Sequence, residues 1–178
     1  MAIGVISVRY ARALLKCAME LNLEDKVYQE MITLADQYNR VPELRPTIDN
    51  PMLEKNKKQA LLQVACGKNL SELTARFIQL VLQEGRENVI QMMATSYITL
   101  YRKQNNIISG RLITATTVTS EVEQKMKQMV QRKSQGTVEF QTEVDPDIIG
   151  GFILEYDSYR MDASVQTKLN NILKELKK

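Results

Sequence analysis

The fold is decided by the stretch Asp145–Leu173, DPDIIGGFILEYDSYRMDASVQTKLNNIL. Gly150 and Gly151 open a short apolar run, Phe152–Tyr156, that reads as a strand. A polar turn follows, and Asp162 and Ser164 stand where an amphipathic helix begins. That helix, Ala163–Leu176, sets Val165, Leu169, Ile172, Leu173 and Leu176 along one stripe. Turn, strand, turn, cap and helix in this order, with no catalytic constellation, point to a small interaction domain rather than an active site.

Immediately upstream, Thr137–Val144 alternates: Val138, Phe140, Thr142 and Val144 face one way, Glu139, Gln141 and Glu143 the other. Ser120 caps a predicted helix, Glu121–Lys133, and Gly110 precedes a predicted strand, Leu112–Val118. The predicted order is β-α-β-β-α. From residue 3 to about residue 104 the period is helical instead. Predicted helices cover Val5–Leu21 and Leu23–Tyr38, and Val41–Asp49, with Pro42 and Pro46, is a turn or one helical turn. A helix starting at Asn50-Pro51 runs to Cys66 and stops at Gly67, Ser71 caps Glu72–Glu84 before Gly85, and Glu87–Gln104 closes the series. The fold class is α+β: an all-α bundle of about six helices in residues 1–105, then a small α/β domain in residues 106–178.

Composition removes several classes of function. Histidine is absent from the 178 residues, which takes away the commonest general base and metal ligand. Residues 1–105 carry 14 basic and 11 acidic side chains and residues 106–178 carry 10 of each, so neither half has the concentrated basic charge of a nucleic-acid binder. Cys17 and Cys66 have no CxxC spacing and are expected to be two buried small hydrophobes in a reducing compartment. No apolar run reaches the ~20 residues that span a bilayer, and Arg9, Arg12 and Lys16 interrupt the N-terminal helix, which is unlike a signal peptide. Gly150-Gly151 precedes a strand, whereas a phosphate cradle needs glycines between a strand and a helix. Asp145, Asp147, Asp157 and Asp162 match no calcium-loop spacing, and Lys55, Lys57 and Lys58 read as a solvated helix face. Neither catalytic residues nor a cofactor or metal site is expected, and the protein is not expected to be an enzyme.

Two helices carry more apolar surface than one core-facing side needs. On the first, Arg9, Arg12, Lys16 and Glu20 fall in a stripe roughly 80° wide, and apolar residues cover about 240° of the rest. On the helix starting at Glu72, Arg76, Gln79 and Gln83 form the polar stripe and apolar residues fill about 220°. Either both helices lie at the centre of the bundle, or a groove between them accepts an amphipathic helix from a partner.

The chain resembles the delta subunit family of the F-type ATP synthase, homologous to the mitochondrial oligomycin-sensitivity-conferring protein. The resemblance rests on Tyr10, Ala11, Ala13 and Leu14; on Asn50-Pro51 with Lys57 or Lys58 behind; and on Phe77, Leu80, Val81, Gly85 and Arg86. Its most specific part is Val144-Asp145-Pro146, Ile149-Gly150-Gly151, Asp162, Ser164-Val165 and Leu169. Three features depart from the family pattern: Arg9 where proline is common, Thr117–Ser120 in place of a Pro-Leu-Ser start, and Ala163 in place of glycine. The resemblance implies a non-catalytic stator subunit at the top of the catalytic head. Its bundle would bind the N-terminal helix of an alpha subunit, with Tyr10, Ala13, Leu14, Phe77 and Val81 as candidate contacts, and its second domain the C-terminal region of the b subunits. The expected place is the cytoplasmic side of a bacterial plasma membrane, reached through the complex, with no nucleic acid and no small ligand bound. The alternative is an RNA- or ribosome-associated factor, against which the charge distribution argues.

Overall fold

The computed structural model describes residues 3–119, 124–126, 128, 137–156 and 159–176. The chain divides into two compact units, Met1–Tyr101 and Arg102–Lys178.

In the first unit the helices are α1 (Ile3–Glu20), α2 (Glu24–Arg40), α3 (Leu44–Asp49), α4 (Lys55–Ala65), α5 (Glu72–Gln83) and α6 (Ile90–Gln104), with a 3₁₀ turn at Glu87–Val89 before α6. Ser71 caps α5 by accepting from the Thr74 N–H at 3.2 Å. At the other end Gly85 takes φ +63°, and the Arg86 N–H reaches back to the Val81 carbonyl at 3.0 Å, closing a Schellman turn. The two prolines near α3 are tolerated because Pro42 precedes the helix and Pro46 sits in its first turn, where a missing N–H leaves no bond unmade. One predicted start is displaced: α4 begins at Lys55, not at Asn50-Pro51. Asn50 instead accepts from the Met52 N–H at 2.9 Å, spending its side chain on a turn two residues long.

The bundle core is aliphatic and tyrosine-rich. Helix α1 buries Ser7, Ala11, Leu14, Leu15 and Ala18, a stripe at helical spacing. Val27, Met31 and Leu34 of α2, Ile78 and Val81 of α5, and Ile90, Met93 and Tyr97 of α6 are fully or almost fully buried. Tyr101 stacks on Tyr28 with ring centres 4.1 Å apart and donates its hydroxyl to the Asp25 carboxylate.

The second unit holds a four-stranded sheet in the order β2-β1-β3-β4, with β1 at Ile107–Thr114, β2 at Thr137–Val144, β3 at Phe152–Tyr156 and β4 at Tyr159–Asp162. Strand β1 is parallel to β2 and antiparallel to β3, and β3 is antiparallel to β4. A parallel neighbour requires a crossover. The chain between β1 and β2 is helical at 124–126 and 128, and Met126 packs on the core of Leu112 and Leu154 with Val118, Phe152 and Tyr156. The rest of the predicted helix Glu121–Lys133, with its Ser120 cap, lies outside the described residues.

Two strands differ from the sequence reading. Strand β1 begins at Ile107 and ends at Thr114, so Gly110 lies inside it, paired with Phe140 on one side and Tyr156 on the other. The chain leaves the sheet at Thr114, whose hydroxyl donates to the Thr116 carbonyl. Strand β4 occupies what reads as a polar turn: Tyr156 stacks with Tyr159, and Glu155 pairs with Arg160 at 3.1 Å across the hairpin. Helix α7 (Val165–Leu176) closes the unit, started by Ser164, which accepts from the Thr167 N–H at 3.2 Å. Its apolar stripe does not face the core: Val165, Leu169, Ile172, Leu173 and Leu176 are all exposed.

Candidate functional site

The surplus apolar surface of α1 and α5 is partly used inside the bundle and partly left open. Tyr10 of α1 meets Phe77 of α5 edge to face, with ring centres 6.5 Å apart, so the two helices that the sequence singled out are neighbours. Of the five candidate residues, Leu14, Phe77 and Val81 are buried in the bundle core at 4%, 7% and 0% exposure. Tyr10 is half-buried and Ala13, one turn further along α1, is exposed. Leu80, one turn on from Phe77, is 47% exposed, and the sequence reading had not assigned it an outward role.

The outer ridge of α1 is basic. Arg9, Arg12 and Lys16 are exposed and make no ion pair among the described residues. On the far side of that ridge a second recess of about 540 Å³ opens toward α6, lined by Gly4, Ser7, Val8, Met92, Thr95 and Leu100. The width of the apolar arc on α1 signals surplus surface on both flanks, but it does not say which helix stands beside each.

Two expectations about individual side chains are corrected. Lys58 is buried rather than solvated: its ammonium donates to Glu87 at 2.7 Å, tying α4 to the 3₁₀ turn. Burial alone would push the Glu87 carboxyl up, but the Lys58 hydrogen bond and charge outweigh it and hold that carboxyl below its usual range. Cys17 is exposed, because it lies off the buried stripe of α1; Cys66 is buried, and burial, with Glu30 nearby, pushes its thiol up to about 12.

Two acidic residues of the second unit, Asp145 and Asp162, work as caps, and Asp157 lies outside the described residues. Asp145 accepts from the Asp147 N–H at 3.0 Å. Asp162 accepts from the Ser164 N–H at 3.0 Å, the Ser164 hydroxyl at 2.6 Å and the Thr167 hydroxyl at 2.9 Å, and the Ser164 bonds hold its carboxyl low. Among the described residues no group of three or more His, Cys, Asp or Glu side chains is placed to hold a metal, and no helix is long and apolar enough to cross a membrane.

A helical bundle with apolar side chains left at its surface, followed by a small mixed sheet with an amphipathic helix whose apolar stripe is exposed, has the build of a connecting protein rather than of an enzyme pocket. A family model described as ATP synthase delta (OSCP) subunit matches residues 6–176, and the chain belongs to that family. ATP synthase subunit delta of Phocaeicola vulgatus is 48% identical over 173 residues, covering 97% of this chain and 94% of the relative. ATP synthase subunit delta of Parabacteroides distasonis is 41% identical over 172 residues, covering 97% and 96%. A chain in the cryo-EM structure of the Toxoplasma gondii mitochondrial ATP synthase hexamer shares the fold, with a TM-score of 0.68, 20% identity and 97% coverage of both chains. The function is accordingly that of a stator, or peripheral-stalk, subunit of the ATP synthase. Nothing among these relatives favours the RNA-associated alternative.

Proposed function

We propose that this subunit works as an adaptor with no chemistry of its own, holding the catalytic head of the ATP synthase against rotor torque by two separate contacts. In the first, the rim of α1 and α5 takes the N-terminal helix of an alpha subunit. Tyr10, Ala13 and Leu80 touch the partner, and Leu14, Phe77 and Val81 hold the two helices at the spacing that a helix in a groove requires. In the second, the C-terminal region of the b subunits covers the apolar stripe of α7 from Val165 to Leu176. The assembly is held at the cytoplasmic side of a bacterial plasma membrane through its partners alone.

The observation that carries the first contact is the exposure of Ala13 and Leu80 on the two helices that the Tyr10–Phe77 ring contact brings together. The second is supported by the exposure of all five residues of the α7 stripe, from 37% at Val165 to 78% at Leu176, since an amphipathic helix leaves such a face open at a cost in hydrophobic free energy of about 25 cal/mol per Å².

The test is a titration of a peptide of the alpha subunit's N-terminal helix against the full chain, followed by NMR. Saturable binding with shifts centred on Tyr10, Ala13 and Leu80 is expected, and Ala13→Glu should abolish it while leaving the fold intact. A folded chain that takes no peptide would remove the first contact. Movement of α7 signals alone would transfer the alpha-subunit site to the second unit.

A further inference from the structure

The turn that ends α5 places a cation against Tyr10 of α1. Gly85 in the left-handed conformation turns the chain back, and Arg86 follows it. The Arg86 guanidinium donates to the Tyr10 hydroxyl at 2.7 Å, with its carbon 5.3 Å from the centre of the Tyr10 ring. Tyr10 also meets Phe77 at 6.5 Å, so one ring is held by a cation at its hydroxyl end and by an aromatic neighbour beside it. Arg86 is half-buried, and among the described residues its guanidinium has no carboxylate partner in an ion pair. A tyrosine at a groove rim has two side-chain torsions, and rotation at the first would swing the ring across the opening.

We infer that Arg86 is a positioning residue of the partner-binding groove: it pins Tyr10 as a wall of the groove and keeps the ring from closing it. This rests on the α1–α5 docking reading. The pinned ring is part of the docking surface before the partner arrives, so its ordering cost is met in folding rather than in binding. Arg86 therefore acts on affinity without touching the partner.

The test measures affinity of the full chain for the alpha-subunit peptide, together with thermal unfolding. Arg86→Gln should weaken binding about tenfold, the scale of one charge-assisted hydrogen bond, and lower the melting temperature by a few degrees, because the same bond is lost from the fold, while leaving the chain folded at the temperature of the titration. Arg86→Lys, which keeps the charge and one donor, should recover part of the loss. Tyr10→Phe keeps the ring but removes the acceptor, so the double variant Arg86→Gln/Tyr10→Phe should bind no more weakly than the worse single variant. If Arg86→Gln binds like the wild type, or if the two losses add, Arg86 does not position Tyr10, and the docking reading stands without it. If the wild type takes no peptide, both readings fall together.

Discussion

The Gly151 backbone lies against that of Ala163 so closely that a Cβ at Gly151 would stand 2.3 Å from the Ala163 carbonyl oxygen. Gly151 also takes φ +77°, which side chains rarely adopt. The same junction brings the Val165 N–H to the Gly150 carbonyl at 2.9 Å and the Ala163 N–H to the Phe152 carbonyl at 2.9 Å. The glycine pair is thus the seat on which the start of α7 rests, not a phosphate cradle.

Gly151→Ala should destabilise the second unit by about 3 kcal/mol, since strain and a backbone clash act together. Gly150→Ala should cost about 1 kcal/mol or less, because its added Cβ would meet only the Val165 side chain, at 3.2 Å and at an ordinary φ. Urea unfolding followed by the amide signals of β3 separates the two. Equal losses would show that the Ala163 approach relaxes freely.

Glu30 is a buried carboxylate at the start of α5, although it belongs to α2. It accepts from the Ser71 N–H at 2.6 Å, the Ser71 hydroxyl at 2.7 Å and the Thr74 hydroxyl at 2.5 Å. Glu30→Ala leaves three buried donors facing a cavity and should cost about 3 kcal/mol. Glu30→Gln should cost about 1 kcal/mol, because one amide oxygen still accepts and the two hydroxyls can turn to receive its N–H groups. Chemical denaturation read at α5 checks this, and a larger loss for Gln than for Ala would contradict the assignment of donors.

These two sites also show what a sequence can and cannot disclose. Ser71 and Gly85 are legible because capping and left-handed turns depend on residue type at one position. Thr137–Val144 and Phe152–Tyr156 match their strands because alternation or an apolar run marks them locally. Strand β4 has no such mark: its four residues are all exposed, and it is a strand only because Tyr156 and Glu155 offer it partners. The burial of Lys58 depends in the same way on Glu87, 29 residues on. At the candidate site, the wide apolar arcs announced surplus surface on α1 and α5. Which residues are core and which are exposed is decided by neighbours: Val81 is buried and Ala13 is not, though both are apolar members of those arcs.

Alkaline pH should unfold the bundle earlier than the second unit. Burial, with Glu24 adding to it, holds the Tyr97 phenol well above its ordinary value, and burial with the Asp25 hydrogen bond does the same for Tyr101. Burial likewise raises Tyr38. In the unfolded chain these phenols lose protons near pH ~10, while in the folded bundle they keep them. The unfolded state therefore binds fewer protons above that pH, so stability is full below it and falls as pH rises. The buried Cys66 thiol, also held high, begins the loss, so the denaturation midpoint of α6 signals should be flat from about pH 7 to 8, decline gently near 9 and drop more steeply beyond about 10 as the phenols join. Tyr97→Phe should shallow the drop, and an unchanged slope would assign the effect to other groups.

The basic ridge of α1 predicts how partner binding responds to salt. Arg9, Arg12 and Lys16 border the rim that carries Ala13, so a helix lying there with carboxylates on its flank toward α1 gains attraction that mobile ions screen. The Debye length falls from about 10 Å at 0.1 M salt to about 3 Å at 1 M, and these exposed side chains stand within that range. Raising the salt concentration across that interval should weaken alpha-subunit peptide binding several-fold, mainly by slowing association. Arg12→Gln should lower both the affinity at low salt and the steepness of the dependence, whereas Leu80→Ala should lower affinity at every salt concentration alike, because hydrophobic contact is not screened. Binding that is indifferent to salt in the wild type would place the partner on the Ala13–Leu80 flank alone, turned away from the basic ridge.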